Sequence, residues 1–308
     1  MKRLLSLVCA ALLGSCAATP EPYVDPRHGN GVVGEFMLVA GEPVNVGVPV
    51  VLWTEAPFYS AYNTGPRFAD EGEQGLRYKP GREAAGRNPD RVALEQVVDQ
   101  FVLHYDACGV SRTCFRVLHD QRGLSVHFLL DVDGTIYQTM DLEDTAWHAR
   151  QANSRSVGVE IANLGAYSVG KKSPLDEWYG IDDEGLILNL PARLGDGGVR
   201  DMTQARRPAR ASRVAGEVQG GFFEQVDFTD AQYESLAHLT AALVSTFPRM
   251  ELRVPRAPDG LVLNRRMDEG EEDVFGGLVG HLHVSSSKLD PGPAFNWAWL
   301  LERASELL

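Results

Sequence analysis

The chain predicts a mixed α/β fold: a central mixed β-sheet flanked by helices, with an N-terminal extension and one surface insertion. Three observations predict it. Val97 to Leu103, Val126 to Leu130 and Val157 to Ile161 contain short apolar runs of buried-strand length. Helix-spaced segments stand between and after them, the clearest starting at Thr229. Strands and helices are interspersed along the chain, which suits one sheet with helices packed on it.

The elements follow in order. Lys2 and Arg3 precede the apolar run Leu4 to Leu13, and Leu13-Gly14-Ser15-Cys16 follows. The run is too short for a permanent span, so residues 1–15 are expected to be a cleaved signal. The pattern resembles the lipobox of bacterial lipoproteins, in which the cysteine is acylated and becomes the new N-terminus. Cys16 is then the expected lipid anchor to a membrane. Ala17, rather than Asp, implies the periplasmic face of the outer membrane. Each buried methylene of the acyl chains would contribute about 0.8 kcal/mol to anchoring.

Residues 16–35, rich in Pro, Gly and charge, read as a tether. Residues 36–93 form an extension with short strands, best seen at Val44 to Trp53, and turn loop-like from Asn63 to Asp90. The main domain is expected over residues 94–308. Val97 to Leu103 reads as a strand with His104 at its end, and Ser111 to His119 as a short helix. Val126 to Leu130 and Thr135 to Thr139 flank Asp133-Gly134, a hairpin signal. Val157 to Ile161 is a strand interrupted by Glu160. Residues 166–226 break the pattern and read as the insertion.

Thr229 and Gln232 have capping-box spacing. Leu236, Leu239, Leu243, Val244 and Phe247 then recur on one helical face, and Pro248 ends the helix. Residues 249–275 read as irregular or short-stranded. Leu278 to His281 reads as a strand or its end, and Phe295 to Leu308 as a last helix.

The formal charge is -13, and loss of Lys2 and Arg3 with the signal takes it to -15. Such a surface repels phosphates, which argues against a nucleic-acid partner. The charge says nothing positive about a substrate, and oligomeric state is not legible. Of the four cysteines, Cys9 belongs to the signal and Cys16 is the anchor. Cys108 and Cys114 remain, and an oxidising compartment predicts a disulfide between them.

The segment GHLHVSSSKLDPGPAFNW, Gly280 to Trp297, sets His281, Lys288 and Asp290 on one loop. An imidazole, an ammonium and a carboxylate so close together suit a zinc hydrolase, as metal ligands and as a cation for developing negative charge. Upstream stand FVLHYDACGVSRTC from Phe101, LSVHFLLDVDGTIYQTMDLEDTAWHA from Leu124 and SVGVEIAN from Ser156.

These four motifs, in this order, resemble the type 2 N-acetylmuramoyl-L-alanine amidases, the family that includes the peptidoglycan recognition proteins. The resemblance covers about residues 94–165 and 222–308. Cys16 makes the outer-membrane lipoprotein members closest in kind. The resemblance implies one Zn2+ per chain held by His104, His281 and Asp290, a set that leaves a fourth position for water. It implies that Glu160 orients and deprotonates that water, and that Lys288 stabilises the oxyanion. A carboxylate inside an apolar strand also demands a partner or a purpose in its own right. The implied partner is peptidoglycan or its muropeptides. The implied reaction is hydrolysis of the amide between N-acetylmuramic acid and L-alanine.

Other residues receive narrower readings. Trp147 and His148 match a segment near the family's substrate groove and are candidate substrate contacts. Asn153 either contacts substrate or fixes a turn. His127 matches a family histidine that is not a ligand, so packing or hydrogen bonding is expected. His283 stands where many relatives have Asp and is a competing ligand candidate. His119 and His238 read as structural or exposed, and His28 lies in the tether.

The main alternative is a non-catalytic peptidoglycan-binding lipoprotein. Such relatives usually lack a complete ligand set, and here the set is complete. A zinc peptidase of another fold would carry a helix such as HExxH, which the chain lacks. A purely structural lipoprotein leaves the constellation unexplained.

Overall fold

The computed structural model describes residues 34–64 and 75–308. The expected signal, Cys16 and almost all of the tether lie outside the described residues. No helix among those described is long and apolar enough to cross a membrane.

The extension begins with β1 (Gly34–Val39) and β2 (Glu42–Leu52), then β3 (Tyr78–Lys79). The main domain contributes α1 (Arg91–Glu95), β4 (Gln100–Tyr105) and α2 (Ser111–Phe115), which runs on into one wider π-type stretch over Arg116–Arg122. Next come β5 (Phe128–Leu130), β6 (Ile136–Gln138), β7 (Thr145–Ala146) and β8 (Ser156–Ile161). The insertion holds β9 (Tyr167–Ser168), α3 (Leu175–Trp178), β10 (Tyr179–Asp182), β11 (Gly185–Leu188), β12 (Val214–Val218) and β13 (Gly221–Gln225). The chain ends with α4 (Asp230–Thr246), α5 (Glu271–Val274), β14 (Gly277–Gly280), α6 (His281–Val284) and α7 (Trp297–Glu306).

Seven strands form one sheet in the order β1-β2-β6-β5-β8-β4-β14. It is mixed: β1/β2 and β5/β6 are antiparallel, and the other four pairings are parallel. The extension is therefore part of the sheet, as its edge, where sequence alone placed only isolated strands beside the main domain.

Strand period decides the two faces. Phe101 and Leu103 of β4, with Val157, Val159 and Ile161 of β8, join Leu236, Leu239 and Leu243 of α4 and Leu300 of α7 in the largest core cluster. On α4 the Thr229 side chain accepts from Gln232 N–H while Gln232 caps Thr229 N–H in return, so the capping box forms in full. The opposite face packs Leu129 and Tyr137 against Cys114, Phe115 and Leu118. That face also carries His104 and Glu160.

One expectation needs correction, and one gains detail. Residues 166–226, read from sequence as an insertion, carry short strands and a helix. Leu175, Trp178, Leu186 and Leu188 build a small core with Val110, Val132 and Ala162 of the main domain. The Cys108–Cys114 disulfide is not formed, and both cysteines are free. Cys114 is buried on α2, while Cys108 sits in a loop whose backbone N–H donates to Asp106 Oδ1 at 2.8 Å. With both backbones anchored, the sulfurs meet as hydrogen-bonded thiols, and burial pushes the Cys114 thiol well up.

Arg82 ties the extension to the main domain. It is 1% exposed. Its Nε donates to the Leu142 carbonyl and its Nη1 to the Ser156 carbonyl, both at 2.9 Å. Burial pulls its guanidinium down to about 10, while Asp144 and Asp141 hold it up. Arg82→Met keeps most of the volume and leaves buried carbonyls without donors. Such losses cost about 1–3 kcal/mol each, so urea titration should show roughly 2–4 kcal/mol less stability.

Candidate metal centre

The parallel pairing of β4 with β8 sets His104 opposite Glu160 in register. Both side chains leave the face away from α4. On the other side of β4 lies β14, with Gly280 opposite Leu103. The next residue, His281, therefore emerges beside His104. The strand ends here, as one of the two sequence readings had it: β14 stops at Gly280 and His281 opens the short helix α6. The loop then folds back, and Leu282 N–H donates to the Asp290 carbonyl at 3.0 Å. A Cβ on Gly280 would stand 2.5 Å from Pro291 Cδ, so this close return requires glycine.

Three donor atoms converge. His104 Nδ1 lies 3.0 Å from His281 Nδ1 and 2.9 Å from Asp290 Oδ2, and His281 Nδ1 lies 3.0 Å from the same oxygen. All three residues are buried. A tetrahedral zinc ion with bonds of about 2.0–2.1 Å spaces its ligands roughly 3.3 Å apart, close to these separations. Two imidazole nitrogens and a carboxylate facing one another need a positive charge among them. Buried nitrogen and oxygen donors of this kind fit zinc.

The second nitrogen of His104 supports the same reading. His104 Nε2 lies 3.0 Å from His148 Nδ1, and His148 Nε2 lies 3.2 Å from Ser156 Oγ. With His104 Nε2–H donating to His148 and His148 Nε2–H donating to Ser156, His104 Nδ1 is left with a bare lone pair toward the cluster. Burial, then the neighbouring His281, pulls His104 down to about 4 despite Asp290. Burial alone would raise Asp290, but the two imidazoles beside it, His104 and His281, outweigh burial and hold the carboxyl low. The cluster therefore holds a neutral imidazole beside an ionised carboxylate.

His148 was read from sequence as a substrate contact, and the structure gives it a bond to His104 that sequence did not reveal. The ring packs on Gly158, where a Cβ would stand 2.5 Å from it. Asn153 holds the same turn: its Oδ1 accepts from Ala149 N–H at 2.6 Å and from His148 N–H at 3.2 Å. His148→Ala removes the acceptor that orients His104. A competition titration against a zinc-binding dye should show zinc affinity lower by about 10–100-fold.

His283 does not join the donors. Its Nδ1 accepts from Gly280 N–H at 2.9 Å, its Nε2 lies 2.6 Å from the Leu263 carbonyl, and it is fully buried. His127 is likewise internal, accepting Gly158 N–H at 3.1 Å through Nδ1. His119 contacts Asp120 and the Asn63 carbonyl, and His238 contacts the Val46 carbonyl.

The donors open into a cleft of about 280 Å3 bordered by Glu160, Lys288, Trp147 and Cys108. Glu160 is partly exposed there. Burial first, then the negative charges of Asp290 and Asp106, hold its carboxyl well above the usual range, against the pull of Lys288. A carboxyl whose proton affinity is raised in this way suits proton transfer. Lys288 is half-exposed at the mouth. The insertion also supports this loop: Gln219 Nε2, at the β12–β13 turn, donates to the carbonyls of Leu282 at 2.8 Å, Ser285 at 3.1 Å and Lys288 at 3.2 Å. Nothing in the local sequence marks Gln219 for this, because the contact spans two segments.

The family model for N-acetylmuramoyl-L-alanine amidase matches residues 94–293, about two thirds of the chain. The match includes His104, Glu160, His281, Lys288 and Asp290. No curated protein matches the chain. Among solved structures, a selenomethionine derivative of AmpD is 17% identical over 68% of this chain and 86% of its own, with a TM-score of 0.33. The N-acetylmuramyl-L-alanine amidase AmiD from E. coli, solved with anhydro-N-acetylmuramic acid-L-Ala-D-γ-Glu-L-Lys, is 18% identical over 67% of this chain and 57% of its own, with a TM-score of 0.35. The Drosophila peptidoglycan recognition protein SA is 20% identical over 22% of this chain and 47% of its own, with a TM-score of 0.19.

Proposed function

Since the chain belongs to the N-acetylmuramoyl-L-alanine amidase family, we propose that it is a zinc-dependent enzyme that cuts the amide between N-acetylmuramic acid and L-alanine in peptidoglycan or its fragments. One observation carries this reading: His104, His281 and Asp290 form a buried triangle of donors, and Glu160, opposite His104 on the next strand, lines the same cleft. A binding module needs neither a complete donor set nor a carboxyl poised beside it.

His104, His281 and Asp290 would hold the ion. Bound zinc would supply Lewis acidity, polarising a carbonyl and making a water easier to deprotonate. Glu160 orients that water, takes its proton and passes it to the departing amine of L-alanine. Its raised proton affinity suits both halves of that transfer. Lys288 brings an ammonium to the mouth of the cleft, where it meets the oxyanion that forms as the carbonyl is attacked. Trp147 borders the cleft and offers an apolar face to the substrate.

Digestion of a defined muropeptide followed by mass spectrometry tests the reading. The expected products are the intact stem peptide with a free L-alanine amine and the saccharide with a free lactyl carboxylate, both absent when a chelator is present. Cleavage inside the stem peptide or between sugars would refute it.

A further inference from the structure

Trp147 borders two cavities. One is the cleft of the metal centre, and the other is a larger cleft of about 480 Å3. The far walls of the second cleft are Tyr78, Lys79, Pro80, Glu83 and Arg87. All five precede residue 94, where the family match starts. The volume lies within the roughly 300–1,000 Å3 of small-molecule sites.

The wall is firmly attached. β3 pairs with β7 through Tyr78↔Ala146 and Lys79↔Thr145, and β7 leads directly to Trp147. Gly81 N–H donates to Asp144 Oδ1, and Thr145 Oγ1 donates to the Gly81 carbonyl, both at 2.7 Å. The buried Arg82 secures the following residue. The Tyr78 ring meets Tyr62 edge to face at 5.1 Å, and the Tyr62 hydroxyl donates to Asp144 at 2.9 Å. The Tyr78 ring is thus set in place before any ligand arrives, and the backbone of Trp147 is held beside it by β7, which lowers the ordering cost of binding.

The lining suits one chemistry. Tyr78, Trp147 and Pro80 offer flat apolar faces, and the rim carries both signs of charge. Lys79 already pairs with Glu83 at 3.5 Å, so the rim is not a cationic site dedicated to carboxylates. A pyranose has the complementary build, with C–H bonds on its face and hydroxyl and N-acetyl groups around its edge.

We propose that this cleft is a saccharide subsite that receives an N-acetylated sugar of the glycan adjoining the muramoyl residue under attack. The inference rests on the amidase reading of the metal centre and extends it: the N-terminal extension makes the enzyme selective for glycan-extended substrates.

Isothermal titration of the purified protein with the β-1,4-linked tetramer of N-acetylglucosamine tests this directly, since that ligand has no peptide to cut. The expected result is saturable binding, weakened about tenfold by Tyr78→Ala. Glu83→Ala, at an exposed position that leaves the fold intact, should weaken it roughly threefold. In kinetics, the preference for a disaccharide-peptide over a muramoyl-peptide should fall about tenfold in Tyr78→Ala. Absence of saturable binding, or binding that neither variant alters, overturns the subsite. An enzyme that cleaves muropeptides without binding the tetramer loses the subsite alone. One that binds the tetramer without cleaving loses the amidase reading alone.

Discussion

Glu160→Gln should lower amide hydrolysis by about 10²–10⁴-fold, the usual contribution of a positioned acid–base group, while leaving one zinc per chain by elemental analysis. The substitution keeps the shape of the side chain and removes its ability to carry a proton. It should not unfold the protein. Ionised Glu160 is penalised by burial and by the charges of Asp290 and Asp106, and a neutral amide escapes that penalty. The thermal midpoint is therefore expected to be unchanged or higher, as is common where an active site holds unfavourable charge. A variant that keeps full activity would remove Glu160 from the mechanism. A variant that loses its zinc would make it a support of the metal centre instead.

His104→Ala and Asp290→Ala should abolish metal retention, with zinc well below one per chain and activity at background. Each removes one of three donors whose mutual distances are 2.9–3.0 Å. Asp290→Ala should be at least as severe, because it also deprives the two imidazoles of the carboxylate between them. Wild-type protein stripped by a chelator should regain activity on adding zinc, whereas neither variant should. Zinc bound at wild-type level in either variant would mean that the ion sits elsewhere. His148→Ala provides an internal scale, since an orienting partner should cost less than a donor.

Much of this architecture was readable in the chain, for identifiable reasons. The apolar runs at Val97 to Leu103 and Val157 to Ile161 had strand length, and they overlap the buried strands β4 and β8. Thr229 and Gln232 form the reciprocal cap their spacing suggested. His104, Glu160, His281 and Asp290 stood out because reactive side chains interrupted apolar segments in a familiar order. The insertion was harder. Its strands are two to five residues long, rich in Gly and exposed positions, and they depend on a small shared core rather than on their own periodicity. Arg82 sits in Gly81-Arg82-Glu83, which reads as a solvent loop, and nothing local signals that its guanidinium is buried. The link from His148 to His104 depends on which ring nitrogen faces which, a property of the folded arrangement alone. The spacing of Cys108 and Cys114 likewise carried no information on how the two sulfurs meet.

His104 is 177 residues from His281 and 186 from Asp290. A growing chain therefore has no three-donor site until Asp290 has been made, and the site assembles only once β14 has docked beside β4. An ion that binds the native arrangement and not the unfolded chain stabilises the folded state by mass action. On the zinc reading proposed above, metal occupancy would double as a record of completed assembly: a molecule whose β14 edge strand has come away would lose its ion and its catalytic power together, so damaged or half-made copies would be silent rather than partly active.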